Sequence, residues 1–154
     1  MKFLVDAMLG KLSRLLRIYG FDTIYAEDVE PSAPDSMLLE YAIKNDRIII
    51  TRDLPFHRIS QNNSIYCNQT DAYENLLALG KELNLEFDFS IENARCSACN
   101  SPLEKINDKN SIKEQVKPET FHNFKEFYRC TNLKCNKIYW KGSHIDKIIE
   151  KLKK

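Results

Sequence analysis

Short apolar runs and longer amphipathic stretches take turns along the first half of the chain. Residues 2–5 read as a strand, 8–19 as a helix stopped at Gly20, 23–26 as a strand and 35–45 as a helix. Residues 47–51 follow as a third strand, 55–60 as a short helix, 64–68 as a fourth strand and 71–83 as a helix. Met8, Leu12, Leu15, Leu16 and Tyr19 recur at steps of three or four, which puts them on one helical face. Gly20 is the residue type that ends a helix most readily. Leu38, Tyr41 and Ala42 repeat the spacing, and Asp71 with Glu74 has the form of a capping box ahead of Leu76, Leu77 and Leu83. Strands alternating with helices through short connections predict an α/β fold, with a parallel sheet flanked by helices on both faces.

After Phe87 the pattern changes. Residues 96–145 are rich in Asn and Lys, carry no long amphipathic stretch and have few aliphatic side chains to bury, so this segment needs a staple to fold. Residues 143–154 regain a helical period, with Ile145, Ile148, Ile149 and Leu152 on one face and a basic tail. The expected organisation is a first unit over 1–90 and a second over 91–154.

Composition narrows the class. Of 154 residues 43% are hydrophobic and 29% charged, with four Gly and five Pro, which excludes disordered and low-complexity readings. The longest apolar runs, such as residues 48–50, fall far short of the ~20 residues that span a bilayer, so no membrane partner is expected. A soluble, cytoplasmic protein is the expectation, with a homodimer left open. The net charge of +1 conceals an asymmetry: residues 1–90 hold 9 Lys and Arg against 14 Asp and Glu, whereas residues 91–154 hold 14 against 8.

Two groups of residues carry chemistry. In a parallel α/β sheet ligands bind beyond the carboxyl ends of the strands, and an acid follows three of the predicted strands: Asp6, the pair Glu27 and Asp28, and Asp53. Asp35, at the start of the second helix, projects toward the same rim. Any one of these alone reads as a helix N-cap. Gathered, they repel one another unless a hard cation such as Mg²⁺ or Mn²⁺ neutralises them, and such ions serve phosphodiester hydrolysis. Lys11, Arg14 and Arg52 lie close by in sequence, where they can hold a phosphate backbone, although Lys11, Arg14, Arg17 and Arg52 taken singly read as solvated surface charge. The second group is Cys96, Cys99, Cys130 and Cys135, in the spacing C-x₂-C and C-x₄-C, which predicts a closed structural Zn²⁺ site. Around the second pair Phe121, Phe124, Phe127, Tyr128, Tyr139, Trp140 and Lys141 mix aromatic and basic character, so Tyr139, Trp140 and Lys141 are candidates for RNA contact while about half the rings pack inward. Cys67, inside a predicted strand, reads as a small buried hydrophobe.

These motifs resemble a known family. The opening from Phe3 through Asp6, Gly10, Lys11 and Arg14 to Gly20, with the run from Ile48 to Thr51-Arg52-Asp53, is similar to the PIN-like RNase domain of the mut-7 C-terminal family. Cys130 and Cys135, followed by residues 137–144, resemble that family's zinc-ribbon ending, so the likeness covers about residues 1–148. It implies a PIN-like parallel sheet flanked by helices, followed by a small zinc ribbon and a C-terminal helix. It also implies a metal-dependent ribonuclease, with Asp6 as the first-strand acid, Asp53 as the acid of the Thr-Arg-Asp motif and Asp35 as the acid opening the second helix. RNA is the implied partner, Zn²⁺ the structural ion and Mg²⁺ or Mn²⁺ the catalytic one. The alternatives are a catalytically inactive RNA- or ribosome-binding zinc-ribbon module, and a receiver-like phosphoacceptor, which Ala7 after Asp6 disfavours.

Overall fold

The computed structural model describes residues 1–153. Strands β1 (Lys2–Val5), β2 (Asp22–Tyr25), β3 (Ile48–Thr51) and β4 (Ser64–Tyr66) form one parallel sheet in the order β2-β1-β3-β4. Helices α1 (Gly10–Ile18), α2 (Ala26–Val29), α3 (Asp35–Lys44), α4 (Leu54–Ile59) and α5 (Ala72–Leu83) fill the connections. A three-stranded antiparallel sheet follows, β5 (Leu103–Lys105), β6 (Tyr128–Cys130) and β7 (Ile138–Tyr139), with α6 (Pro118–Asn123) in the crossover and α7 (Ser143–Lys153) at its end. The α/β expectation and its ribbon appendage therefore hold.

The period of two on β1 decides how the core divides. Phe3 and Val5 point into a cluster with Leu12, Leu16, Leu76 and Leu79, while Leu4 points the other way to Ile49, Leu38, Ala42 and Phe56. Both faces of the sheet are thus covered, as a parallel sheet requires. Ile148 of α7 lies in the first cluster at 3% exposure, so the helix that follows the ribbon in sequence returns to pack with the first half. Helix ends follow local chemistry. Asp71 accepts the Tyr73 and Glu74 N–H groups as the N-cap of α5, and Gly20, at φ 90°, closes α1 where a Cβ would sit 2.8 Å from the Asn93 carbonyl.

Three local readings are corrected. Met8 does not join the apolar face of α1. It sits in a 3₁₀ turn over Ala7–Leu9 started by the Asp6 cap, which rotates it out to 60% exposure. The second strand runs over Asp22–Tyr25 instead of 23–26, because Ala26 opens the short α2. Arg17, whose charge suggests solvent, is 3% exposed, because its guanidinium bridges the two halves of the molecule. Its Nε donates to the Thr23 carbonyl at 2.9 Å and its Nη1 to the Ser97 carbonyl at 3.0 Å, with Asp28 3.5 Å from Nη2.

That junction continues along the free edge of β2. The Thr23 N–H donates to Asn100 Oδ1 at 2.9 Å, and Asn100 Nδ2 donates to Asp22 Oδ1 at 2.8 Å. Asp22 also takes Arg47 at 2.8 Å, with Arg95 at 4.0 Å. An edge strand exposes unpaired groups, and here the loop of the first cysteine pair covers them. Burial pushes the Asp22 carboxyl up, but the hydrogen bonds from Arg47 and Asn100 and the charges of Arg47 and Arg95 outweigh it and hold it below its usual range. A carboxyl depressed in this way contributes stability that is present above the unfolded-state pKa and lost as pH falls through the folded one. Asp22→Asn should therefore lower the urea midpoint at pH 7, with the gap to the parent closing once the pH drops below 3.8. A gap that stays constant with pH would assign the loss to hydrogen-bond geometry alone.

Candidate functional site

The strand order fixes where a ligand can sit. From β1 the chain moves to β2 on one side and then crosses back to β3 on the other, so the carboxyl ends of β1 and β3 form the switch point at which flanking helices diverge. Asp6 and Asp53 stand at that point. The Asp6 N–H donates to the Ile50 carbonyl at 2.9 Å, continuing the ladder, and its Oδ1 accepts the Ala7 N–H at 2.8 Å. Its Oδ2 accepts the Thr51 hydroxyl at 2.7 Å, and the same Thr51 oxygen accepts the Asp53 N–H at 3.0 Å. One buried hydroxyl therefore bridges the Asp6 carboxylate and the Asp53 backbone N–H across adjacent strands. Asp53 also caps α4, its Oδ1 accepting the Phe56 N–H at 3.3 Å.

Asp35 behaves differently. It is the first residue of α3, and the helix has no side-chain cap, so Asp35 is not spent on the helix start. Burial, then the charges of Asp53 and Asp6, raise its carboxyl above the usual range. Asp35 thus lies in the field of the other two acids, although among the described residues the three do not form a close cluster as the cysteines do. Glu27 and Asp28 are drawn off, since α2 turns Glu27 toward the Ser32 N–H and Asp28 toward Arg17.

The basic candidates fall in separate places. Lys11 is exposed at the start of α1, with Nζ 5.1 Å from the Tyr73 ring centre, and Lys151 of α7 approaches the same ring to 4.8 Å. Sequence reading missed Lys151, because nothing in the basic tail indicated that α7 would reach this ring. Arg14 is exposed and Arg52 partly so. In the ribbon, Trp140 packs on Phe124 and Phe127, and Lys141 pairs with Asp146 at 3.2 Å. The Tyr139 hydroxyl lies 2.9 Å from Cys96 Sγ.

The four cysteines meet as their spacing predicts. All four Sγ atoms lie within 4.8 Å of one another, with Cys96 and Cys135 3.7 Å apart and Cys99 and Cys130 3.3 Å apart. Tetrahedral Zn²⁺ with Zn–S of about 2.3 Å places its sulfurs about 3.8 Å apart. The cluster can therefore hold that ion. The C-x₂-C turn closes through the Asn100 N–H to the Cys96 carbonyl, with Asn100 at φ 72°. The longer C-x₄-C loop also makes a knuckle: the Asn132 N–H points at Cys130 Sγ at 3.4 Å, and the extra residues carry Leu133 outward to 88% exposure. Burial pushes the Cys130 thiol up to about 12, whereas at Cys99 the hydrogen bonds of Ser101 and the neighbouring thiols outweigh burial and bring it to about 6. Four sulfurs this close become thiolates together only around a cation, so binding releases protons and weakens in acid. The purified protein should carry about one zinc per chain, Cys96→Ser should lose it, and acidification should release it to a colorimetric chelator. Full zinc retention in Cys96→Ser would remove that residue from the ligand set.

Cys67 is buried as expected, its thiol raised to about 11 by burial and then by Glu82. Among the described residues no helix is long and apolar enough to cross a membrane. No curated protein and no solved structure matches the chain. A family model described as the Mut7-C RNAse domain matches residues 1–152, spanning both the acidic rim and the cysteine cluster. The chain belongs to the Mut7-C RNase domain family.

Proposed function

We propose that this protein is a divalent-metal-dependent ribonuclease that hydrolyses RNA phosphodiester bonds in the cytoplasm. Asp6, Asp35 and Asp53 would hold Mg²⁺ or Mn²⁺, and hard carboxylate oxygens are the donors such ions prefer. The observation that supports the reading is the Thr51 hydroxyl, which donates to Asp6 Oδ2 and accepts the backbone N–H of Asp53 at the switch point of the sheet. Support comes from Asp35, whose carboxyl feels both of their charges and caps nothing. The chemistry an ion supplies there is charge relief for the phosphate and a more acidic water. Asp6 is held in place by two hydrogen bonds, so its orientation is set before substrate arrives. Lys11, Arg14 and Arg52 position the RNA backbone, and Tyr139, Trp140 and Lys141 are the ribbon's contribution to RNA binding. In this reading residues 1–90 form the nuclease unit, and residues 91–154 form the unit that grips the strand. A single-stranded or looped substrate is favoured, because its splayed backbone reaches a crowded carboxylate site more easily than a duplex does.

A second reading, an RNA- or ribosome-binding module without turnover, draws on the fact that Asp6 and Asp53 already serve as N-caps. Cleavage of a 5′-labelled single-stranded RNA in Mn²⁺ separates the two. Asp6→Asn and Asp53→Asn should each reduce the rate by about 10²-fold or more, the scale of losing a group that stabilises the transition state, with zinc content unchanged. Undiminished cleavage in both would take the carboxylates out of the mechanism, and tight RNA binding with no cleavage by the parent would favour the module. Asp35→Asn should abolish cleavage and also raise the melting temperature of protein without added divalent ion, because it removes a repelled charge. A lower melting temperature would instead mark Asp35 as a structural residue.

A further inference from the structure

We infer that the cleft between α1 and the first cysteine knuckle is the track of a single RNA strand running from the acidic rim to the ribbon, with Arg14 and Lys137 holding its phosphates on opposite walls. The inference rests on the ribonuclease reading above and adds where the substrate lies. The cleft has a volume of about 310 Å³ and is lined by both halves of the molecule, by Arg14 and Tyr25 on one side and by Ser97 and Lys137 on the other.

Each wall is fixed. At the rim end the Tyr25 hydroxyl donates to the carbonyl of Ala7, the residue after Asp6, at 2.6 Å. Gly10 makes room for that ring, since a Cβ there would lie 3.3 Å from the Tyr25 oxygen. Arg14 stands four residues further along α1, hence about one turn from Gly10 on the same face. At the ribbon end Ser97 is tied to Arg17, and the Lys137 carbonyl accepts the Cys130 N–H at 2.8 Å, so Lys137 is anchored at the cysteine cluster.

The charges identify the occupant. Arg14 and Lys137 are both exposed, and among the described residues neither has a carboxylate within 4.0 Å. The acid in the cleft, Asp28, is turned to Arg17 at 3.5 Å. Two cations lining a cleft whose Tyr25 is bonded to the residue after Asp6 suit a polyanion that passes between them. A cleft of this size admits one sugar-phosphate backbone and excludes a duplex.

The test is fluorescence anisotropy of a labelled oligouridine with the zinc-loaded full chain, without added Mg²⁺ or Mn²⁺, over a range of salt. Arg14→Ala and Lys137→Ala should each weaken binding by about 3–10-fold and reduce the slope of log K against log salt by about 0.7, the value for one lost phosphate contact on a single strand. Lys137→Arg should restore both, Lys137→Glu should weaken binding further, and Lys113→Ala, away from the cleft, should match the parent. Zinc content and circular dichroism verify that each variant is folded. If the parent binds and cleaves RNA while both alanine variants keep its affinity and slope, the strand runs elsewhere and this proposal falls while the ribonuclease reading stands. If the parent neither binds nor cleaves, the ribonuclease reading falls and the track with it.

Discussion

A guanidinium withdrawn from water is tolerated only where its N–H groups meet acceptors in good geometry. Arg17 meets that demand with groups from three places: the Thr23 carbonyl on β2, the Ser97 carbonyl in the first knuckle and the Asp28 carboxylate on α2. None of the three alone would hold a buried charge. The requirement therefore locks α1, the sheet edge and the ribbon into one arrangement, reinforced by the Arg95 N–H on the Arg17 carbonyl and by the Asn100 amide on β2. Everything proposed about substrate passing from the sheet to the ribbon presupposes this joint, because a ribbon on a loose linker would offer no fixed wall.

Elements defined by local spacing were legible from residues alone. Lys2–Val5 and Ile48–Thr51 read as strands because apolar runs end at a polar or acidic residue, and Asp71 announced α5 through a cap that forms as expected. Features decided by distant partners were not legible. Arg17 looks like any other basic residue on an amphipathic helix until Ser97, eighty positions later, arrives beside it. Asn100 is similar: its left-handed backbone and its side chain on the β2 edge have meaning only once the knuckle is docked.

The candidate site shows the same division. Asp6 and Asp53 follow β1 and β3, strands that the alternation of elements predicts and that pair directly in the sheet. Thr51 has no role of its own in the Thr-Arg-Asp motif, yet its hydroxyl bridges the Asp6 carboxylate and the Asp53 backbone N–H. A period-two pattern marks Thr51 as inward-facing but cannot indicate which side chain it meets. Among the aromatics, Phe127 and Tyr128 went into the core, while Tyr139 went to the cysteines, a choice that depends on the register of a three-stranded sheet with few residues to betray it.

Because α7 rejoins the first core after the ribbon, the chain between the two halves is a tether that an ion held by the four cysteines would shorten. With the four sulfurs cross-linked, the free run leading into α7 shrinks from residues 96–142 to residues 136–142. Shortening a loop by that ratio raises the local concentration of its end by an amount equivalent to roughly 1.5–2 kcal/mol. With an ion in place Ile148 would return to its pocket more often, and the packing beneath the sheet would register the occupancy of a centre built from other strands.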